Sequence, residues 1–411
     1  MIKNIAVVGG GAAGMMAAYQ AAAHGARVYL FERNPNLGRK ILISGKGRCN
    51  LTNIKELNEF IAHIPGNGKF LYSSLVTFSN RDLIVFFEKL GVKTKVERGG
   101  RVFPESDSSL DVVKALQKAI IDSGVNIVYK SRIKGFIVEE KRIRGVIFGD
   151  TFEKIYCDSV IVATGGLSYP ATGSTGDGYE LARQMGHTIT ELKPSLVPLI
   201  STEHWVRELQ GLTLKNVEAS VYVKHKKLAS EFGEMLFTHY GISGPIILTL
   251  SRYIIDNLNH DPRVSVNLKP ALTEQEIDQR LLKDFSLYKN KIFKNSLNDL
   301  LPKKLIPVFI DYTGIDPQKP VNQISRNERK RILDCMRTFQ TTISGCKEKE
   351  AIVTRGGVSV KEINPKTMES KKIAGLFFAG EVIDIDGLTG GYNLQAAFST
   401  GFVAGYNSAS K

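Results

Sequence analysis

"NIAVVGGGAAGMMAAYQAAAHGARVYLFE", residues 4–32, decides the fold. Ile5 to Val8 are a short apolar run suited to a buried parallel strand, and Gly9-x-Gly11-x-x-Gly14 follows at once. An alanine-rich helix comes next and should stop at Gly25. Val28 to Phe31 are then a second apolar run, ending in Glu32, eighteen residues beyond Gly14. A glycine motif alone is weak, but strand, glycine turn, helix, strand and acid in this order describe a dinucleotide-binding unit.

Each residue has a physical task in that unit. Gly9 makes the tight turn, Gly11 lets backbone approach a pyrophosphate, and Gly14 lets helix pack closely on strand. Ala12 and Ala13 complete the turn, so that the amides and macrodipole of the helix start meet the diphosphate charge. Glu32 is placed to accept hydrogen bonds from the adenosine ribose hydroxyls, and an acid there disfavours a 2'-phosphate. FAD and NAD remain.

Two distant stretches separate them. Ser159 to Ala163 read as a strand running into Thr164-Gly165-Gly166. Leu376 to Ala379 read as another, running into Gly380-Glu381-Val382-Ile383-Asp384, with Gly387, Gly390 and Gly391 before a helix from about Asn393 to Tyr406. Open α/β sheets bind ligands outside the carboxyl ends of their strands, so an extended ligand touches several such ends. The chain resembles two-dinucleotide-fold flavoproteins, in which a strand ending in Ala-Thr-Gly and a C-terminal Gly-Glu/Asp pair mark FAD. The resemblance implies that Ala163, Thr164, Gly165 and Gly380 line the cofactor, with Glu381 or Asp384 on the ribityl hydroxyls. The helix start at Gly391 and Asn393 would then stabilise negative charge at flavin N1 and the C2 carbonyl. FAD is favoured over NAD.

With FAD in place, the chain leaving Glu32 through Arg33 must run along the cofactor, and "GRKILISGKGRCNLTN", residues 38–53, is the segment that does so. Arg39 or Lys40 is placed to pair with the pyrophosphate, and the turn holding Ser44, Gly45, Arg48, Cys49 and Asn50 to reach the ring. A thiolate beside a flavin suggests disulfide-reductase chemistry, but that needs a second thiol close by, and the next cysteine is Cys157. Cys49 therefore reads as a small buried or ring-contacting side chain, with redox chemistry its rival. Tyr392 and Tyr169 fall where the ring and its substrate should lie, either packing behind the pocket or lining it. His239, in "FTHYGISGP", is structural or substrate-facing. The catalytic residue is unknown at this point, with His239, Tyr392, Cys49 and Tyr169 as candidates.

The stretches "VVGGGAAG", "GRKILISGKGRCNLTN", "VIVATGGLSYPATGSTGDGY", "SLVPL", "LFTHYGISGP" and "GEVIDIDGLTGGYNLQAAFSTG" together resemble the BaiN/YhiN-like family of NAD(P)/FAD-dependent oxidoreductases, which includes aminoacetone oxidase-type members. The resemblance implies an α/β fold: a discontinuous Rossmann-like FAD-binding domain of the two-dinucleotide-fold flavoprotein type, with an inserted β-barrel-like plus helical domain. Residues 1–191 and 345–411 are expected to form the FAD domain, 192–272 the inserted β-rich domain and 273–344 a helical subdomain. Ala219 to Val223 and Val264 to Leu268 have the alternation of antiparallel strands. "TEQEIDQRLLKDF" opens with a capping signature, Pro245 suits the first turn of a helix over Ile246 to Ile254, and Leu300 to Ile310 and Asn327 to Phe339 carry helical spacing.

The expected activity is hydride transfer between non-covalent FAD and a small organic substrate, such as an amine like aminoacetone, or with NAD(P)H as a transient reductant, since no second dinucleotide unit is present. A net charge of +14 keeps open a flavin-dependent nucleic-acid-modifying or RNA-binding protein, although basic runs without interleaved aromatics make nucleic acid the less favoured partner. A non-catalytic flavin redox sensor is the third reading. Four scattered cysteines and scattered histidines point to no metal site and to a reduced, cytoplasmic setting without disulfides. With no apolar run long enough to span a bilayer, no membrane partner is expected.

Overall fold

The computed structural model describes residues 2–410. Residues up to Ser195 and from Ile352 onward make one compact unit, and Leu196–Ala351 make the other. Among the described residues no helix is long and apolar enough to cross a membrane.

The first unit is built on a five-stranded parallel sheet in the order Leu376–Phe378, Ser159–Val162, Asn4–Val8, Arg27–Glu32, Asn126–Tyr129. From the central strand Asn4–Val8 the chain builds outward through Arg27–Glu32 and Asn126–Tyr129, then returns to the other side of its start at Ser159–Val162. That reversal opens a crevice at the carboxyl ends of the two middle strands. Ile5, Ala6 and Val7 are wholly buried, which explains a continuous apolar run in place of alternation. In the long crossover between the second and third strands, Thr52–Asn53, Arg101–Pro104 and Thr94–Glu97 form a small antiparallel sheet.

The alanine-rich helix, Ala12–Ala23, lies against the last helix, Tyr392–Ala409. A Cβ added to Gly401 or Gly405 would stand 2.3 Å from the carbonyl oxygen of Ala13 or Ala17, so the two backbones touch. Small side chains on both partners are what this approach requires. Gly405→Ala is therefore expected to destabilise the protein by about 1–3 kcal/mol through overpacking, although helix propensity alone favours alanine by about 1 kcal/mol. Urea melts of both forms decide the sign.

The second unit is a closed six-stranded barrel in the order Leu199–Ser201, Gly241–Ser243, Lys226–Phe237, Thr213–Val223, Arg263–Asn267, Phe339–Cys346. Val221 faces Val264 across two of its strands. Helices Pro245–Ile255, Glu274–Leu287, Leu305–Thr313 and Arg326–Arg337 share the barrel's core, in which Val221, Val264, Phe309 and Phe339 all belong to one buried cluster. Thr273 and Glu276 form the capping box that starts the second of these helices. Helical spacing misleads at two places. The helix expected from Leu300 begins at Leu305, after Pro302, and the segment from Phe339 toward Ser344 is the strand that closes the barrel. Its buried positions, Phe339, Thr341 and Ile343, alternate, but the polar threonine among them breaks the apolar repeat.

In the first unit His187 is buried between the Ser370 hydroxyl at 2.8 Å and the Glu362 carboxylate at 3.1 Å. Burial holds the imidazole pKa below its ordinary value. Burial also opposes ionisation of Glu362, but hydrogen bonds from Lys372 and Thr188 outweigh it and lower its pKa to about 2. As pH falls through about 6.5 the unfolded chain binds a proton that folded His187 refuses, so stability is lost there. The Glu362 contribution is lost only from about pH 4.3 downward. The melting temperature should decline below about pH 6.5, and His187→Gln should flatten that first decline.

Candidate functional site

The crevice is lined by two glycine turns that meet backbone to backbone. Gly9 has φ +103°, and a Cβ there would lie 2.6 Å from the carbonyl oxygen of Ala163 and 3.1 Å from the Cα of Thr164. A Cβ on Gly14 would lie 1.8 Å from the Gly9 oxygen. Gly11 differs: its φ of −84° suits any residue, and a Cβ there would meet nothing within 4 Å. The helix start beside it, at Ala12 and Ala13, has no side-chain cap, which leaves its first amides without a capping partner. On the opposite turn Gly165 has φ +75°, and the Thr164 hydroxyl is buried without a protein partner.

Glu32 is 7% exposed and clasps the first turn, accepting from the amide of Gly10 with one oxygen and from the amide and side chain of Asn34 with the other, all within 2.8 Å. Arg39 donates to Asn34 Oδ1 at 2.7 Å, and Arg33 pairs with Asp177 at 3.2 Å. The acid marked by sequence spacing thus also organises the loop that holds it.

A second carboxylate ties four chain segments together. Glu381 pairs with Lys40 and accepts from Ser168 Oγ and the Thr354 amide, both at 2.8 Å, while Lys40 also donates to Ser168 at 2.6 Å. Gly380, one residue before, has φ +75° and a backbone amide bonded to Thr400. Asp384 lies further along the same segment, its amide bonded to the Val358 carbonyl. Ser168 and Thr354 were missed in the sequence, where a lone serine or threonine carries no motif.

At the far end Gly391, with φ +101°, starts the last helix, and a Cβ there would stand 2.4 Å from the Thr52 oxygen. The Asn50 side chain accepts from the Gly391 amide at 3.0 Å and donates to the carbonyls of Thr52 and Val102. Asn393 exchanges two 2.8 Å hydrogen bonds with the backbone of Gly387. Tyr392 is buried, stacked on His63 and edge-on to Phe60, and burial raises its phenol pKa well above the ordinary value. Tyr169 sits half-buried in a left-handed conformation, φ +54°, after the second turn.

In the intervening segment, Ser44 Oγ donates to Ile41 O and Gly45 has φ +57°. Arg48 is held by Glu97 and Asp107 above the Phe103 ring, so its charge is already answered by protein carboxylates. His239 belongs to the barrel unit, edge-on to Tyr240. Among the described residues no group of three His, Cys, Asp or Glu side chains could hold a metal ion.

Cys49 is fully buried, and burial pushes its thiol up to about 12, so at neutral pH it is a neutral thiol and a poor nucleophile. Iodoacetamide at pH 8 should label half-buried Cys346 and Cys335 in the native protein and leave Cys49 unmodified, as read by peptide mass mapping. Labelling of Cys49 at the rate of Cys346 would restore thiol chemistry to this site.

The HI0933-like protein Rossmann domain family model matches residues 3–407. A 3-dehydro-bile acid delta(4,6)-reductase of Clostridium scindens is 33% identical, over 98% of each chain. A ribosomal RNA dihydrouridine synthase of Haemophilus influenzae is 32% identical over 97% of this chain and 96% of its own. Among solved structures, the 3-ketosteroid-delta4-(5alpha)-dehydrogenase of Rhodococcus jostii superposes over 100% of this chain and 97% of its own, with a TM-score of 0.53 at 14% identity, a likeness of fold. The chain belongs to the HI0933-like Rossmann family.

Proposed function

We propose that the switch-point crevice binds FAD non-covalently and that the enzyme reduces a carbon–carbon double bond conjugated to a carbonyl, with NAD(P)H as a transient reductant. The observation that carries the cofactor assignment is Gly11, the one turn glycine whose missing side chain opens onto free space at an uncapped helix start. Diphosphate charge suits that position, where backbone amides are unanswered. FAD, when bound, supplies the two-electron chemistry.

This chain's residues do the rest. The amides from Gly11 to Ala13 hold the diphosphate, and Glu32 the adenosine ribose. Lys40 and Glu381, already locked to Ser168 and Thr354, meet the middle of the cofactor with their geometry set in advance, which lowers the entropy cost of binding. The start of the last helix, at Gly391 to Asn393, directs its dipole at negative charge developing on the ring. Tyr392, at that end, carries a phenol proton that the reduction can use, although burial, which raises its pKa, weakens it as an acid.

The direction of reaction is supported by the relatives. A delta(4,6)-reductase and a dihydrouridine synthase both, by name, add hydrogen across such a conjugated bond, one in a steroid and one in a uracil ring. A small amine such as aminoacetone is the rival substrate class. The net charge of +14 favours the uracil form of the reading, with the ring presented by RNA.

Gly11→Val should fill the cradle at a φ that valine tolerates. The expected outcome is loss of bound flavin from the visible spectrum with an apoprotein melt unchanged within about 0.5 kcal/mol, since no protein atom is displaced. Anaerobic titration of the purified protein with NADPH, NADH and aminoacetone in separate cuvettes tests the reaction. Bleaching by a pyridine nucleotide, with recovery on adding a conjugated enone or a uridine-containing RNA, is expected. Bleaching by the amine alone, with peroxide on admitting air, would replace this reaction by amine oxidation.

A further inference from the structure

The cofactor reading leaves positive charge unused beside the ring end. From Arg39 to Lys55, both included, stand five cations and no acid. Lys40 is engaged by Glu381, Arg39 by Asn34 and Lys55 by Glu59, but Lys46 is exposed at the tip of its turn, in a left-handed conformation with φ +60°. That turn leans on the hairpin Thr94–Glu97/Arg101–Pro104. A Cβ on Gly45 would lie 3.4 Å from the Phe103 ring, and the guanidinium groups of Arg48 and Arg101 stand 4.2 Å and 5.8 Å from the ring's centre.

On this face Lys46, Arg48, Lys93, Lys95, Arg98 and Arg101 outnumber Glu97, Glu105 and Asp107 two to one. Glu97 and Asp107 are used on Arg48, Lys95 and Arg101. Arg98 is exposed where Gly99 and Gly100, both at positive φ, turn the hairpin. The place of this tip is fixed by Asn53, whose amide donates to Gly99 O at 2.9 Å and to Gly390 O at 3.2 Å. A single side chain therefore separates the hairpin tip from the start of the last helix.

The geometry points to a phosphodiester-binding surface formed by Lys46 and Arg98, which holds the backbone of an RNA strand while one of its bases enters at Gly390 to Tyr392. It rests on the uracil form of the proposed function. Exposed, unpaired cations suit this task because neutralising a phosphate releases counterions at little desolvation cost. Phosphate contacts of this kind orient a strand without reading its sequence.

The test uses the full FAD-loaded chain and a labelled 20-nucleotide oligouridine, with anisotropy titrations over a series of KCl concentrations. Binding is expected, and K46Q/R98Q should flatten the log–log salt slope by about 1.4, R98Q alone by about 0.7, the value per lost cation for single strands. Flavin spectra and melts identical to those of the unmodified protein establish that the variants are folded. The pair K226Q/K227Q, on the exposed barrel hairpin, should leave the slope unchanged. No oligouridine binding by the unmodified chain, equal slopes for K46Q/R98Q and the unmodified chain, or a drop confined to K226Q/K227Q would each overturn the proposal. A protein that fails to bind oligouridine yet reduces an enone with NADPH loses this surface and keeps its hydride-transfer chemistry.

Discussion

Everything in the first unit depends on one steric fact: the Gly9 backbone lies against the Ala163 carbonyl, closer than any Cβ permits. This contact joins the ends of two parallel strands at the point where strand order reverses, and it draws the helix from Ala12 down onto its own turn at Gly14. A crevice is left only where glycine is not needed for packing, at Gly11. The same economy recurs along the helix, where Gly401 and Gly405 let the last helix ride on Ala13 and Ala17 and so bring its start, at Gly391, to the same end of the sheet.

Two carboxylates, one buried and one half-buried, then organise a strongly basic protein. Glu32 gathers Gly10 and Asn34, and Glu381 gathers Lys40, Ser168 and Thr354. A carboxylate with its hydrogen bonds satisfied fixes the loops that donate to it. The surplus cations lie outside these networks, on the turn of Lys46 and the hairpin of Arg98, where they remain solvated and available to a polyanion. Charge in this molecule is thus divided by burial: inside it builds geometry, outside it recruits.

The glycine turn, both flanking strands, the return strands at Ser159 and Leu376 and the capping box at Thr273 were legible in sequence because each rests on local periodicity or on a residue type with one physical use. The partners of Glu381 were not, since Ser168 and Thr354 gain meaning only when distant strand ends converge. Arg48 read as part of the turn that reaches the ring; its carboxylates, Glu97 and Asp107, come from in and just after a hairpin roughly fifty residues on, a pairing that no spacing reveals. The last barrel strand was hidden for a different reason: Thr341, in the middle of Phe339–Cys346, is buried by hydrogen bonding to Glu203 and Ser201, not by hydropathy.

The central claim is that a dinucleotide, not merely a flavin ring, fills the crevice between the two turns. Titrating flavin-free protein with FAD and separately with FMN, and following flavin fluorescence, measures this directly. Saturable FAD binding that ADP displaces, with FMN bound far more weakly, is the predicted result. Equal affinity for FAD and FMN, with no effect of ADP, would contradict the assignment of Gly11 and Glu32 to the adenylate half.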